Sequence, residues 1–240
     1  MDSFGIDRLA LPKFGIDVFR LPNFGQTSNG ASKGRFHESL VDAWFMSGYK
    51  NDDAPAYIRG VKGNELQLKN FAFTSESGFG EGAYEGALVF DGVDDYGICT
   101  GLPILDDYTV MCRREIINKD YYSIASKSTV FGKGAFIFEL IQGRTNHCYS
   151  FAADNQINLY NSEISWQTKN SYNGSTITVG NGEDTDTLTL GIVRVGDESR
   201  RFLKGAIYYF ALYNKSLTPE EIEEEKVKLE NKWESKLNKL

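Results

Sequence analysis

From Gly205 to Tyr213 the chain is apolar on both sides of an extended backbone. Ala206, Tyr208, Phe210 and Leu212 form one face, and Ile207, Tyr209, Ala211 and Tyr213 the other. A run with no polar side predicts a strand buried between two layers. After Asn214 the pattern changes. Thr218-Pro219-Glu220-Glu221 supplies an N-cap, a proline at the first helical position and an acid to close a capping box. It predicts a helix from Pro219 to about Asn238. Acids crowd the first half of that helix and lysines follow, which suits the macrodipole and allows pairs such as Glu224 with Lys228. Ile222, Leu229, Trp233 and Leu237 make a narrow apolar stripe that either docks on the body or faces a partner.

Shorter apolar runs fill the middle of the chain. Strands are predicted over Leu40–Met46, Leu66–Phe73, Ala87–Asp91, Tyr96–Cys99, Tyr108–Ile117, Tyr122–Lys127, Phe136–Ile141, Cys148–Ala152, Gln156–Tyr160 and Thr187–Val195. In the last of these Leu188, Leu190 and Ile192 share a face. Many short strands with no internal helix pattern predict an all-β, two-sheet sandwich over residues 37–217, closed by the helix at 218–240. A long loop, Ser47 to Glu65, carries Asn51-Asp52-Asp53. A glycine-rich run, Gly78 to Gly86, lacks dinucleotide-loop spacing and no helix follows it, so it is set aside.

Residues 1–36 read as a separate extended arm. Phe4-Gly5-Ile6-Asp7 recurs as Phe14-Gly15-Ile16-Asp17, and Leu11-Pro12-Lys13-Phe14 as Leu21-Pro22-Asn23-Phe24. The repeat is an even number of residues, so Phe4, Phe14 and Phe24 point the same way along an extended chain. One repeat reaches about 33 Å when stretched. Proline bars a central strand. The arm either wraps over its own sandwich or anchors the protein by inserting Phe4, Leu11, Phe14, Leu21 and Phe24 into a partner. The anchor is the sharper expectation.

Two motifs carry a resemblance. The closing run from Gly205 through Phe210, Leu212-Tyr213-Asn214-Lys215 and Leu217-Thr218 to Ile222, and the opening Ala87-Leu88-Val89-Phe90-Asp91-Gly92-Val93-Asp94-Asp95-Tyr96, resemble the ends of laminin-G-like, concanavalin A-like jelly-roll domains. The span from about Leu40 to Ile222 is similar to versions found in gut bacteria and their tailed phages. The resemblance implies a jelly-roll sandwich used for glycan binding, hydrolysis or virion architecture. For fibres of this kind it also implies a homo-oligomer, a trimer being the commonest choice.

The totals narrow the function. Tyr 13 and Phe 16 give ample core material, and the net charge of -7 argues against nonspecific nucleic-acid binding and against an anionic membrane surface. No run is long enough to cross a bilayer as a helix. Cys99, Cys112 and Cys148 are widely spaced and odd in number, which favours buried free thiols over disulfides or zinc. Met1-Asp2-Ser3 opens with an acid and no apolar h-region follows, so no export signal is expected. A virion component, released at host lysis, reconciles that expectation with the fold.

Candidate chemistry is sparse. Glycosidases of the resembled superfamily carry E-x-D-x-x-E on a strand, because retaining hydrolysis needs two flanking carboxylates. That motif is absent. Glu115 and Glu139 are lone acids on predicted strands, Glu183-Asp184-Thr185-Asp186 lies in a glycine-flanked turn, and His37 and His147 belong to no triad. The expectation is a non-enzymatic protein with no cofactor. Calcium stays open at Asp91, Asp94 and Asp95, whose alternative role is to make the turn through side-chain-to-backbone bonds. For a glycan, Trp166 and Tyr172 are candidate platforms, with Asn170 and Asn173 as hydrogen-bonders and Tyr57 and Tyr49 in support. An inward-facing Trp166 is the competing reading. The leading expectation is a head fibre or capsid decoration subunit, anchored on other virion proteins by its arm. A carbohydrate-binding module is the alternative, and a glycoside hydrolase the third choice.

Overall fold

A computed structural model of the protein describes residues 34–117, 122–130, 133–142, 144–158, 164–195 and 198–239. The arm residues Phe4, Leu11, Phe14, Leu21 and Phe24 lie outside them. In chain order the strands are β1 Leu40–Phe45, β2 Tyr57–Arg59, β3 Glu65–Lys69, β4 Gly78–Phe79, β5 Leu88–Asp91, β6 Tyr96–Cys99, β7 Thr109–Ile116, β8 Ser123–Val130 and β9 Lys133–Gln142. There follow β10 Thr145–Ser150, β11 Ala153–Gln156, β12 Ile164–Thr168, β13 Ser171–Tyr172, β14 Ser175–Thr176, β15 Leu188–Leu190, β16 Val193–Val195, β17 Glu198–Arg200 and β18 Lys204–Tyr213. The helix α1, Pro219–Leu237, closes the chain.

The strands pair antiparallel in two eight-stranded sheets. The first runs β14-β13-β12-β7-β18-β5-β4, with β1 added beside β18. The second runs β11-β10-β9-β8-β15-β6-β3-β2, and β16 with β17 forms a separate ribbon. The protein is therefore the all-β, two-sheet sandwich with a C-terminal helix that the pattern predicts. Between the sheets lie Trp44, Phe90, Val110, Cys112 and Phe210 from the first and Leu66, Cys99, Phe138 and Leu188 from the second. All three cysteines are free and buried, and burial pushes the thiols of Cys99 and Cys148 up to about 11 and about 12.

β18 is the middle of this arrangement, but its faces are not those of simple alternation. The register with β7 shifts between Ile207 and Tyr209, leaving Tyr208 as an extra residue. A bulge of this kind turns the rest of the strand over. Ile207, Phe210 and Leu212 consequently join the core between the sheets. Ala206, Tyr208, Tyr209, Ala211 and Tyr213 face the helix instead. The other expected strands form with edges moved. The predicted Gln156–Tyr160 strand is instead β11, which ends at Gln156, and Thr187–Val195 is split at Gly191, whose φ of +80° ends the run.

The helix docks on the sandwich. Ile222, Leu229 and Trp233 are buried against Phe45, Val89, Met111, Tyr209 and Tyr213, with Leu237 packed beside them. The capping box forms: the Glu221 N–H donates to Thr218 Oγ1 at 3.2 Å and the Thr218 N–H to Glu221 Oε2 at 2.8 Å. Lys228 pairs with Glu225 at 2.6 Å, rather than with the expected Glu224. Glu225 is buried and takes three donors, adding the Tyr213 hydroxyl and the His37 N–H. That contact ties the entry of β1 to the helix.

Candidate functional site

The loop after β1 and the glycine-rich stretch around β4 meet at one end of the sandwich. Asn51 joins them by hydrogen bonds and Tyr49 by stacking on Phe79. Asn51 donates from Nδ2 to the Phe79 carbonyl at 2.9 Å and accepts the Phe79 N–H on Oδ1 at 2.7 Å. Such an approach leaves no room at the neighbouring residue: a Cβ on Gly78 would stand 2.4 Å from Asn51 Oδ1 and 2.8 Å from Phe73 Cα. Gly80 is equally constrained, since a Cβ there would stand 2.3 Å from the Tyr84 carbonyl oxygen. Two of the glycines set aside as a dinucleotide motif, Gly78 and Gly80, thus serve close backbone approach.

The two segments enclose a cleft of about 490 Å³. Met46, Phe79 and Ala87 give it an apolar floor, and Asp52, Glu81 and Glu85 stand around it with Lys50. These four charged residues are exposed. Tyr49 stacks on Phe79 at 5.2 Å, and Phe73 stacks on Phe79 at 6.2 Å. Lys236 of the helix sits 6.0 Å from the Tyr49 ring centre, and burial with Lys232 and Lys239 nearby holds its amine below the ordinary lysine range. Trp233 donates from its indole to the Gly86 carbonyl at 2.9 Å, so the helix also braces the glycine loop. An apolar floor with a few convergent polar groups is the general form of a small-ligand site.

The residues nominated from sequence are only partly brought together. Trp166, Asn170 and Asn173 share the β12–β13 hairpin. Trp166 is half-buried against the helix-side cluster, and its N–H is taken by Asn173 Oδ1 at 2.8 Å. Asn170 is exposed, and its side-chain oxygen accepts from the Thr168 hydroxyl. Tyr172 is a correction. It is 1% exposed, and its hydroxyl donates to Glu139 Oε1 at 2.8 Å in the core. A ring so placed offers no face to a sugar. Tyr57 lies on β2 of the other sheet, 38% exposed and 5.6 Å from the Arg59 guanidinium. It belongs to no common platform with Trp166.

The turn after β5 does gather Asp91, Asp94 and Asp95, each with a carboxylate oxygen within 4.8 Å of the others'. Much of that oxygen is already engaged. Asp91 Oδ1 accepts the N–H of Val93 at 2.7 Å. Asp95 accepts from the Asp91 N–H and the Ser77 hydroxyl, each at 3.0 Å. Burial drives the Asp95 carboxyl up to about 6 despite those bonds. Of the lone acids, Glu115 is exposed on β7, and Glu139 is structural, forking onto Arg114 at 2.7 and 2.9 Å deep in the core. Asp184 accepts from the buried Lys127 ammonium, which also donates to the Thr185 and Pro103 carbonyls.

No protein-family model matches the chain, and no curated protein does. Solved structures do match. The binding domain of botulinum neurotoxin serotype D/C superposes with a TM-score of 0.53 at 13% identity, over 80% of this chain and 52% of that one. The binding domain of botulinum neurotoxin DC in complex with rat synaptotagmin II gives 0.51 at 12%, over 80% and 52%. Trypanosoma rangeli sialidase in complex with sialic acid gives 0.52 at 14%, over 78% and 32%. This chain thus spans about half the length of the toxin domains and about a third of the sialidase. At such identities the likeness establishes the β-sandwich fold.

Proposed function

We propose that this chain is a non-enzymatic, glycan-binding β-sandwich displayed on a virus particle, with the cleft between residues 47–56 and 78–87 as its ligand site. The cleft carries the reading: an apolar floor ringed by carboxylates that accept hydrogen bonds from hydroxyls. Neighbours that are binding domains, and a sialidase holding a sugar, support it by analogy of fold. The virion setting rests on the resemblance and on the apolar repeat of residues 1–36, read as an anchor to other virion proteins in a homo-oligomer, with a trimer as the commonest form.

The test is a glycan array probed with the full chain. Hits are expected, and Asp52→Ala with Glu85→Ala should weaken them about tenfold, the loss of one or two hydrogen bonds to hydroxyls. Loss on Trp166→Ala instead would move the site to the β12–β13 hairpin. An array without hits would leave a display scaffold alone.

Hydrolysis is the second reading, favoured by one observation: several carboxylates border the same cleft. Against it, a general acid needs a carboxyl kept protonated by burial or a close like charge, whereas Asp52, Glu81 and Glu85 are exposed. Reducing ends released from a bound oligosaccharide would replace binding with catalysis. Calcium at Asp91, Asp94 and Asp95 is proposed on the convergence of their oxygens alone. A calcium-dependent rise in Tm that Asp94→Asn removes is the expected result, and an unchanged Tm discards the ion.

A further inference from the structure

We infer that the cleft selects uncharged glycans and rejects carboxylated ones, such as sialylated or uronate termini; this rests on the reading of the cleft as the glycan site. The charges around it are unbalanced. Three carboxylates, Asp52, Glu81 and Glu85, border it against one cation, Lys50. Among the described residues no arginine lines it, so they offer no planar fork of the kind that best grips a carboxylate. The amide that might serve instead is occupied, because both ends of the Asn51 side chain are held by the Phe79 backbone. Lys236 of the helix is not among the residues that line the cleft. Lys236 lies over the Phe45 and Tyr49 rings, 5.6 and 6.0 Å from their centres.

The aromatic residues point to the same ligand class. Phe79 lies between Tyr49 and Phe73, and is buried. Of the two rings in the lining, Phe79 is buried and Tyr49 has the Lys236 ammonium over it, so recognition in this cleft depends on hydroxyls donating to carboxylates more than on ring stacking. Carboxylate acceptors serve a polyol well and an acid badly, since like charges at close range are repelled. The whole-chain charge of -7 adds a long-range term of the same sign. The ligand class is thus opposite in charge preference to the sialic acid held by the sialidase of similar fold.

The test pairs each array hit with its sialylated form, and compares lactose with 3′-sialyllactose in solution by ligand-observed NMR, using the full chain. Wild type should bind the uncharged member about tenfold more tightly, and Asp52→Asn, Glu81→Gln and Glu85→Gln combined should bring the pair within about threefold. High salt should narrow the gap in wild type in the same direction. Because these three side chains are exposed, an unchanged Tm separates the effect from misfolding. Preference for the carboxylated member, or a ratio unmoved in the triple variant, overturns the charge selectivity while leaving a glycan site. Absence of binding to either class overturns the site itself and the selectivity with it.

Discussion

Arg114 and Glu139 are 3% and 0% exposed at their side chains, and each satisfies the other with two hydrogen bonds. Ser165 and Tyr172 complete the group. Removing one buried charge strands the other, so Glu139→Ala should lose about 3–5 kcal/mol in denaturant unfolding, and Arg114→Met with Glu139→Leu should lose much less. Asp95 behaves differently. Its carboxyl is raised to about 6 from 3.8, so the fold binds that proton more tightly than the unfolded chain does. The protonated group's contribution is full below the lower value and is lost as pH climbs through the upper one. The Tm of wild type minus that of Asp95→Asn should accordingly be larger at pH 4.5 than at pH 7.5. At this scale the sequence is least legible. Trp166 and Tyr172 lie in no strand that the pattern predicts, and since β13 is a two-residue strand nothing local says which face it buries. Nor does any local rule pair Arg114 with Glu139, which are partners only once β7 and β9 face each other across the core.

Among the elements, α1 was the most readable, because caps and periodicity are local. Thr218→Ala removes the acceptor for the Glu221 N–H and should cost about 1 kcal/mol. Trp233 has a larger part. It fills the helix contact, stacks edge-on to Tyr208 at 5.7 Å and bonds the Gly86 carbonyl. Trp233→Ala should destabilise by about 3–5 kcal/mol and weaken ligand binding as well, since the glycine loop loses its brace. Calorimetry and the array read the two effects on one variant. The bulge in β18 is the element-scale feature that sequence hides. Every residue from Ala206 to Tyr213 is apolar or aromatic, so either face assignment satisfies the pattern, and only pairing with β7 selects one.

For the molecule as a whole, the fold class was legible because strand spacing and turn residues repeat along the chain, whereas the cleft was not. Asn51 and Phe79, which join its halves, are 28 residues apart; the asparagine's partners are backbone atoms, and the stack of Tyr49 on Phe79 has no local signature either. Residues 1–36 set the remaining prediction. As an anchor, the arm should hold full-length chains in a homo-oligomer, and residues 37–240 alone should sediment as a monomer with unchanged Tm. An oligomer that survives the deletion places the contact on the sandwich instead. One consequence concerns the edge of β18. Its second half pairs with β1 and its first half with β5, so β1 is berthed beside a strand far along the chain. On the ribosome, Leu40–Phe45 waits for Tyr209–Tyr213 to emerge before it has a strand partner, and such sequence-distant closure makes folding slow. A nascent chain stalled short of residue 204 carries Phe45 without the Tyr209 ring that packs on it.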